Sequence, residues 1–243
     1  MLGTLCTLIT ALTYVDAAKV LTQTPAVHTV STGQQVVLNC NIQRYDSQYV
    51  IWYKQVPGEA PQYVLRFYPS DSAPDDFGSG FSSDRFNSKS SSNIDYQFII
   101  KRTETGDSAV YYCETWDNSA KEYVFGQGTK LIVTSSSLPP PVLTVFPPSS
   151  AELQSNKASL VCLSSQSVPF ADVSWLLGGS PVSSGISTST AVQQADQTFQ
   201  ISSYLAVQTS DWNMDKVYTC KVSLGSQTAE KNINKSHCPT EEQ

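Results

Sequence analysis

The segment Asp107-Ser108-Ala109-Val110-Tyr111-Tyr112-Cys113 ends in a Tyr-x-Cys motif, and Cys40 and Trp52 precede it along the chain. The same order of Cys, Trp and Tyr-x-Cys returns at Cys162, Trp175 and Tyr218-Thr219-Cys220. Each Trp follows the first Cys of its copy by 12 or 13 residues, and each Tyr stands two residues before the second Cys. A pattern written twice over 243 residues indicates two domains, each with its own core.

This spacing is typical of an immunoglobulin-type sandwich, in which a disulfide joins two sheets and a buried Trp packs against it. The Cys pairs span 73 and 58 residues, which predicts a variable-type domain followed by a constant-type domain. We therefore predict an all-β chain of two antiparallel β-sandwiches in tandem, with bonds Cys40–Cys113 and Cys162–Cys220. Such an organisation indicates a binding protein rather than an enzyme.

The chain begins with a mostly apolar segment that is too short to span a membrane and closes on the small residue Ala17. We interpret residues 1–17 as a secretory signal peptide, with a buried N-terminal strand as the alternative. A variable-type domain at 18–134 follows, then a Ser/Pro-rich elbow at 135–141, a constant-type domain at 142–235 and a tail at 236–243. No later apolar run reaches the length of a membrane helix, so we expect the chain to reach a membrane only through a partner.

The cysteine count points to a bond with another chain. Removal of the signal peptide leaves an odd number of cysteines, and export allows four of them to pair within domains. The remaining Cys238 lies in a tail with nothing apolar to bury it, which indicates an interchain bond, with an unpaired or capped thiol as the alternative. The nearby Asn234-Lys235-Ser236 is an acceptor sequon, so Asn234 is a possible N-glycosylation site.

The residue inventory argues against catalysis and against nucleic acid. The formal net charge is -6, and no basic block stands out that would bind a phosphate backbone. His28 and His237 fall in different domains, and no metal, phosphate or nucleophile motif is present. We predict no catalytic residues, no metal and no cofactor. Asp71, Asp75 and Asp76 form an acidic cluster that would hold calcium loosely or, as the alternative, belong to a solvated loop.

Strand alternation predicts a covered outer face in both domains. Trp52 must point into the core, so Tyr53 and Gln55 point the other way. In the second domain Cys162 points inward, so its apolar neighbours Val161 and Leu163 point outward. Large apolar residues on the outer face of both domains indicate a second protein on that face, whereas isolated surface hydrophobes would be the simpler alternative.

Several motifs resemble those of an immunoglobulin light chain. The second framework of a light-chain variable domain is matched by Trp52-Tyr53-Lys54-Gln55, with Pro57-Gly58 and Pro61 after it. The joining segment is matched by Phe125-Gly126-Gln127-Gly128-Thr129-Lys130-Leu131, and a lambda-like constant domain by residues 145–154 and 156–163. A long Asp/Ser/Gly-rich segment between Phe67 and Phe81, and the lack of Phe-Tyr-Pro in 165–170, point to a divergent isotype. That isotype is similar to a sigma-like chain of a cold-blooded vertebrate.

The resemblance implies an antibody light chain of humoral adaptive immunity. Such a chain is secreted or displayed in a B-cell receptor, and it pairs with an immunoglobulin heavy chain covalently through Cys238 and non-covalently through both domains. The heavy-chain contacts implied are Tyr53, Gln55, Pro61, Tyr112, Phe125, Phe146, Val161 and Leu163. An ion pair between Arg85 and Asp107 is also implied, the alternative being a weak surface pair.

Three loops at one end of the variable domain would bind antigen: residues 41–51, 67–80 and 114–124. Their rigid aromatic and adaptable polar side chains are typical of a paratope. The candidates are Tyr45, Tyr49, Tyr68, Asp71, Trp116, Asp117, Asn118 and Tyr123. Tyr123, beside the joining segment, is as well suited to the heavy chain as to antigen.

A different class of function is a T-cell-receptor-like or adhesion chain of the immunoglobulin superfamily. A receptor chain would be expected to continue into a connecting peptide and a membrane helix. Because this sequence stops at Gln243, that expectation favours the light chain.

Overall fold

A computed structural model describes residues 18–135, 138–225 and 227–238. The predicted signal peptide lies outside the described residues, as do two positions of the elbow and the last five of the tail. Among the described residues, no helix is long and apolar enough to cross a membrane.

The first domain is built from two β-sheets. Its strands are β1 (Thr22–Thr24), β2 (Val27–Ser31), β3 (Val36–Asn41), β4 (Val50–Gln55), β5 (Gln62–Phe67), β6 (Asp76–Phe77), β7 (Phe86–Ser90), β8 (Asp95–Ile100), β9 (Ala109–Asp117), β10 (Glu122–Phe125) and β11 (Thr129–Thr134). One sheet has the order β1-β3-β8-β7, and the other has the order β2-β11-β9-β4-β5-β6 with β10 beside β9. The pairing is antiparallel except between β2 and β11, which run parallel.

The second domain repeats the two-sheet arrangement. Its strands are β12 (Val142–Phe146), β13 (Ser159–Gln166), β14 (Asp172–Leu177), β15 (Ser180–Pro181), β16 (Ile186–Thr188), β17 (Val192–Gln193), β18 (Phe199–Ala206), β19 (Tyr218–Leu224) and β20 (Gln227–Ile233). The sheets have the orders β12-β13-β18-β16, with β17 beside β18, and β15-β14-β19-β20. The prediction of two all-β sandwiches in tandem is confirmed.

Two short helices connect strands of the second domain, α1 (Ser150–Gln154) and α2 (Thr209–Asn213). Sequence patterns predict helical turns at 152–157 and 210–215, so both helices begin and end earlier than expected. Ser149 explains the early start of α1, because its hydroxyl accepts a hydrogen bond from the Glu152 amide as an N-cap. Asn156 and Asp215 adopt φ angles of 54° and 60°, and this left-handed backbone does not continue a helix.

A disulfide crosses each sandwich as predicted. Cys40–Cys113 joins β3 to β9, and Cys162–Cys220 joins β13 to β19. In the first domain the ring of the fully buried Trp52 stacks on Phe98, with 5.2 Å between centroids.

The second tryptophan is anchored differently. Trp175 is fully buried, and its indole N–H donates to the hydroxyl of Ser203 at 3.0 Å. The indole N–H of Trp52, by contrast, meets no acceptor within the described residues. Packing alone therefore holds the first tryptophan, whereas packing and a hydrogen bond hold the second.

A polar corner closes the end of the first domain opposite the predicted binding loops. Arg85 forms the expected ion pair with Asp107 and lies 3.4 Å from a carboxylate oxygen of Glu104. The buried hydroxyl of Tyr111 donates to the backbone carbonyl oxygen of Asp107 at 2.9 Å. Burial raises the pKa of Asp107, and the Glu104 amide and Arg85 oppose that rise. The corner ties β9 to the 3₁₀ turn at Thr105–Asp107 that precedes it.

We predict that Tyr111→Phe lowers the free energy of unfolding by about 1–3 kcal/mol, because the buried Asp107 carbonyl loses this donor. Urea denaturation followed by tryptophan fluorescence measures the change. Tyr112→Phe is the matched control, since Tyr112 points out of the same strand, and we expect it to change stability by less than about 0.5 kcal/mol. Equal effects of the two substitutions would contradict the role of the corner.

Candidate partner and ligand interface

The outer face of the first domain carries an open apolar hollow of about 230 Å³. It is lined by Tyr53, Gln55, Pro61, Tyr112, Phe125 and Gly126. Phe125 is 55% exposed, and its ring centroid lies 6.0 Å from that of Tyr53. The amide of Gln55 donates to the Glu59 carbonyl at 3.0 Å within the single chain. The structure thus brings together the five residues of this domain for which the sequence predicts a partner contact.

The second domain presents a comparable face on the sheet that contains β12, β13 and β18. Phe146 pairs with Val161 across β12 and β13, and Val161 pairs in turn with Tyr204 of β18. Phe146 and Tyr204 are 46% and 49% exposed. Val161 and Leu163 are half-buried on the side of β13 opposite the core residue Cys162. The outward orientation inferred from Cys162 is therefore what the structure shows.

Two aromatic pairs meet at the loop end of the first domain. Tyr49 packs edge-to-face on Tyr68, with 5.4 Å between centroids, and Trp116 packs likewise on Tyr123 at 5.0 Å. Hydrogen bonding of the Tyr49 hydroxyl toward Tyr123, followed by burial, raises the pKa of Tyr49 to about 12. Together the two pairs form the aromatic surface of the loop end.

The remaining ligand candidates differ in how accessible they are. Tyr45 is 43% exposed, and Asp71 and Asn118 are exposed as well. Asp117 is wrongly predicted as a ligand contact. Its side chain is fully buried because it accepts hydrogen bonds from its own domain, including two from Arg44 at 2.9 Å.

Several residues placed in the loops by sequence belong to strands. Phe67 ends β5 and is buried in the core, and Glu114 lies within β9. Much of the third predicted loop is a hairpin, in which Trp116 pairs with Tyr123 and Glu114 with Phe125. The hairpin fixes Trp116 and Tyr123 on a rigid support rather than on a free loop.

Two carboxylates of the acidic cluster have partners within the domain. Arg66 forms an ion pair with Asp75 at 2.6 Å, and its guanidinium lies 5.6 and 5.5 Å from the ring centroids of Tyr49 and Tyr68. The hydroxyl of Tyr63 donates to Asp76 at 3.0 Å. Within the described ranges, no group of three His, Cys, Asp or Glu side chains is arranged to hold a metal. Arg66, which sequence reasoning missed, organises this loop through Asp75 and the two tyrosine rings.

The buried amide of Gln23 is a second residue that sequence reasoning missed. It donates to the Tyr111 carbonyl at 2.9 Å and accepts from the amides of Cys113 and Gly128 at 3.1 Å. A Cβ on Gly126 would collide with the Gln23 side-chain oxygen, so only glycine allows this approach. Gln23 thereby ties β1 to β9 and to the joining segment beside the partner face.

The chain after β20 is better ordered than its sequence predicts. Asn234 is buried, and its amide donates to Asp215 at 3.1 Å and to Ser236 at 3.0 Å. His237 makes a further contact with the Asn234 side-chain oxygen through its Nδ1. A glycan on the amide nitrogen would disrupt these bonds, so the expectation of an exposed sequon is wrong.

Cys238 is also less free than expected. Its side chain is half-buried against the core of the second domain, and its Sγ lies 3.5 Å from the Asn234 carbonyl oxygen. Burial, followed by the charge of Asp215, raises the pKa of the thiol. Among the described cysteines it is the one outside a disulfide. The prediction that nothing apolar buries Cys238 is therefore wrong. Cys238 does follow the last strand of the second domain, as the sequence indicates.

Two β-sandwiches in tandem, each with an outward apolar face, define a receptor- or antibody-type fold. The sequence matches the immunoglobulin V-set domain model over residues 23–134 and the immunoglobulin C1-set domain model over residues 143–226. The chain belongs to the immunoglobulin superfamily, with a V-set domain followed by a C1-set domain. This class of domain confirms the non-enzymatic interpretation.

A curated relative is a viral T-cell receptor beta chain-like protein of feline leukemia virus. It is 32% identical over 219 residues, which cover 84% of this chain and 66% of the relative. The chain thus spans about two thirds of that protein's length. Receptor-type chains of this superfamily commonly pair with a second chain and are typically extracellular or on the cell surface.

A buried carboxyl lies beside the partner face, where Glu114 of β9 pairs with Phe125 of β10. Glu114 is 3% exposed and projects on the same side of β9 as Tyr112. Burial raises the pKa of Glu114, although the hydroxyl of Tyr53 donates to the carboxylate and opposes that rise. Because the folded pKa lies above the unfolded value of 4.5, ionisation of Glu114 destabilises the folded chain as the pH rises through this range.

We predict that Glu114→Gln raises the melting temperature of the unpaired chain at pH 7 and gives no gain at pH 4. Each kcal/mol of destabilisation that the substitution removes should raise the melting temperature by about 2–4 °C for a chain of this size. Calorimetry at the two pH values measures the difference. Glu122→Gln is the matched control, because Glu122 lies exposed on β10 of the same domain and should leave the melting temperature unchanged. A gain of equal size at both pH values would count against a buried ionised carboxyl.

Proposed function

We propose that this chain is a secreted antibody light chain that pairs with an immunoglobulin heavy chain and contributes three loops to an antigen-binding site. The observation that carries the proposal is the pair of apolar outer faces. Phe125 is 55% exposed on one domain and Phe146 is 46% exposed on the other. A partner that is itself built of two such domains would cover both faces at once.

The choice of a heavy chain as the partner is supported by sequence features spread along the chain. These are the joining segment after Val124, the lambda-like start of the second domain at residues 145–154, and Cys238 after its last strand. The residues beside the apolar hollow, Tyr53, Gln55 and Phe125, are those for which the resemblance implies heavy-chain contacts. The aromatic surface formed by Tyr49, Tyr68, Trp116 and Tyr123 supports ligand binding at the loop end, since paratopes use rigid aromatic area.

A T-cell-receptor-like chain is the second candidate, favoured by the similarity to the viral T-cell receptor beta chain-like protein. Purification of the native chain with an antiserum against residues 142–235 would separate the two candidates. Mass spectrometry of the co-purified chain would identify a heavy chain if the light-chain proposal holds. A T-cell receptor chain as the partner would overturn it.

We predict that the double substitution Val161→Asp and Leu163→Asp weakens pairing by at least about 100-fold, because an unpaired buried charge costs about 3 kcal/mol or more. Co-expression with the partner chain, followed by size-exclusion chromatography, measures pairing. The fold should survive, since both side chains lie on the outer side of β13. Met214→Asp is the control, because Met214 is 62% exposed in the turn after α2. Undiminished pairing of the double variant would contradict an interface on this face.

We predict further that Cys238→Ser removes the covalent band between the two chains on a non-reducing gel while the chains still co-purify. The apolar faces supply the association, and the disulfide only makes it permanent. Because the thiol is half-buried, we expect the bond to form slowly unless pairing displaces it from the core of the second domain. A covalent band that survives the substitution would show that a different cysteine makes the bond.

A further inference from the structure

The start of the first domain is joined to two of the predicted binding loops through a buried lysine. The side chain of Lys19 has no exposed surface, and its ammonium forms an ion pair with Asp46 of the first loop. The same ammonium donates to the carbonyl oxygen of Trp116 at 3.2 Å. One side chain therefore contacts the first loop and the hairpin of the third loop at the same time.

Asp117 is the second centre of this cluster. Its buried carboxylate accepts the backbone N–H of Lys19 at 2.6 Å and the guanidinium of Arg44 at 2.9 Å. It also accepts the amides of Ser119 at 2.8 Å and Ala120 at 3.2 Å. Burial alone would raise the pKa of Asp117, but these hydrogen bonds outweigh burial and lower it to about 2. The carboxylate is therefore ionised at neutral pH and fixes the turn that follows β9.

Direct hydrogen bonds join the two loops next to these charges. The amide N–H of Asn118 donates to the Asp46 carboxylate at 3.1 Å, and the Asn118 side chain donates to the Asp46 carbonyl at 2.9 Å. Gln48 in turn donates to the Asn118 side chain at 3.2 Å. Asp46 thus receives bonds from both Lys19 and the tip of the third loop.

Among the described residues, the ion pairs of the cluster join two cations, Lys19 and Arg44, to two anions, Asp46 and Asp117. Charges that are buried, paired and hydrogen-bonded tolerate one arrangement, because the loss of one partner leaves another charge uncompensated. In some proteins such a cluster contributes more to the choice of one conformation than to stability. The exposed Tyr45 and Asn118 adjoin Asp46 and Asp117 in the chain, so that choice matters for recognition.

We propose that Lys19 is a positioning residue of the ligand-binding end, which holds the first and third loops in one arrangement before any ligand arrives. This inference rests on the proposed function, in which these loops recognise the ligand. Lys19 does not touch the ligand, because its side chain is covered by its own domain. Its effect is to remove alternative loop conformations, and so to lower the ordering cost of binding.

Lys19→Met tests the proposal, because it keeps a long unbranched side chain and removes the charge. Amide hydrogen exchange of the unliganded chain reports directly on Asn118, Ser119 and Ala120, whose backbone N–H groups donate to Asp46 or Asp117. We expect these amides to exchange at least tenfold faster in Lys19→Met, while amides of the core strands β4 and β9 up to Cys113 stay unchanged. Lys19→Arg, which restores a cation, should recover part of the protection.

The matched control is Lys221→Met, which removes the charge of an ion-paired but 40% exposed lysine in the second domain. It should leave the exchange of residues 118–120 unchanged. If Lys19→Met fails to fold, the double variant Lys19→Met and Asp46→Asn keeps the cluster neutral and allows the same measurement. Unchanged exchange in residues 118–120, or an acceleration spread evenly over the core, would overturn the proposal.

A second measurement uses a single-domain antibody selected against the loop end of the unsubstituted chain. Because Lys19 has no exposed side-chain surface, this probe senses the substitution only through the loops. We expect at least a tenfold loss of affinity for Lys19→Met, with no change for a probe selected against residues 142–235. Unchanged affinity for the loop probe would overturn the proposal. Neither measurement needs a natural ligand, so a failure of the proposed function would leave both results interpretable.

Discussion

The inward orientation of the disulfide and of the tryptophan beside it is the constraint on which the rest of the molecule depends. Successive side chains of a strand point to opposite faces. Once Cys113 is fixed in the core, its neighbours Tyr112 and Glu114 must face outward on β9. Cys162 has the same effect on Val161 and Leu163 in the second domain. The bonds that hold each sandwich together thereby decide which residues are presented to a partner.

This dependence explains which parts of the molecule the sequence could predict. Strand alternation is a local property, so the outward placement of Tyr53, Tyr112 and Val161 could be predicted from neighbouring core residues alone. The Arg85–Asp107 ion pair could be predicted only from the family resemblance, because its two residues are far apart in sequence. Helix boundaries were predicted less well, since the Ser149 cap and the left-handed residue Asn156 act over only a few positions.

The polar residues were the least predictable. Asp117 is a residue type that ligand contacts often use, but its burial depends on Lys19 and Arg44, which lie 98 and 73 residues away. Asn234 has the sequence of a glycosylation site, yet its amide is held by Asp215 from a different segment. No local pattern marks Gln23, which bonds to residues 88 to 105 positions later. Hydrogen bonds between distant segments determine whether a polar side chain faces solvent or the interior. These bonds cannot be predicted from the local pattern of a single sequence.

The base of the third-loop hairpin has a consequence for how this chain can change. Two links close it: the Cys40–Cys113 bond on one side, and on the other Gly126, whose amide donates to the Cys113 carbonyl at 2.9 Å. Any residue larger than glycine there would collide with Gln23. Between those fixed points, doubling the length of the connection costs only about 0.6 kcal/mol of closure entropy. Insertions and deletions confined to the turn at residues 118–121 can therefore accumulate over generations without disturbing the paired strands, whereas the glycine that bounds the hairpin cannot vary.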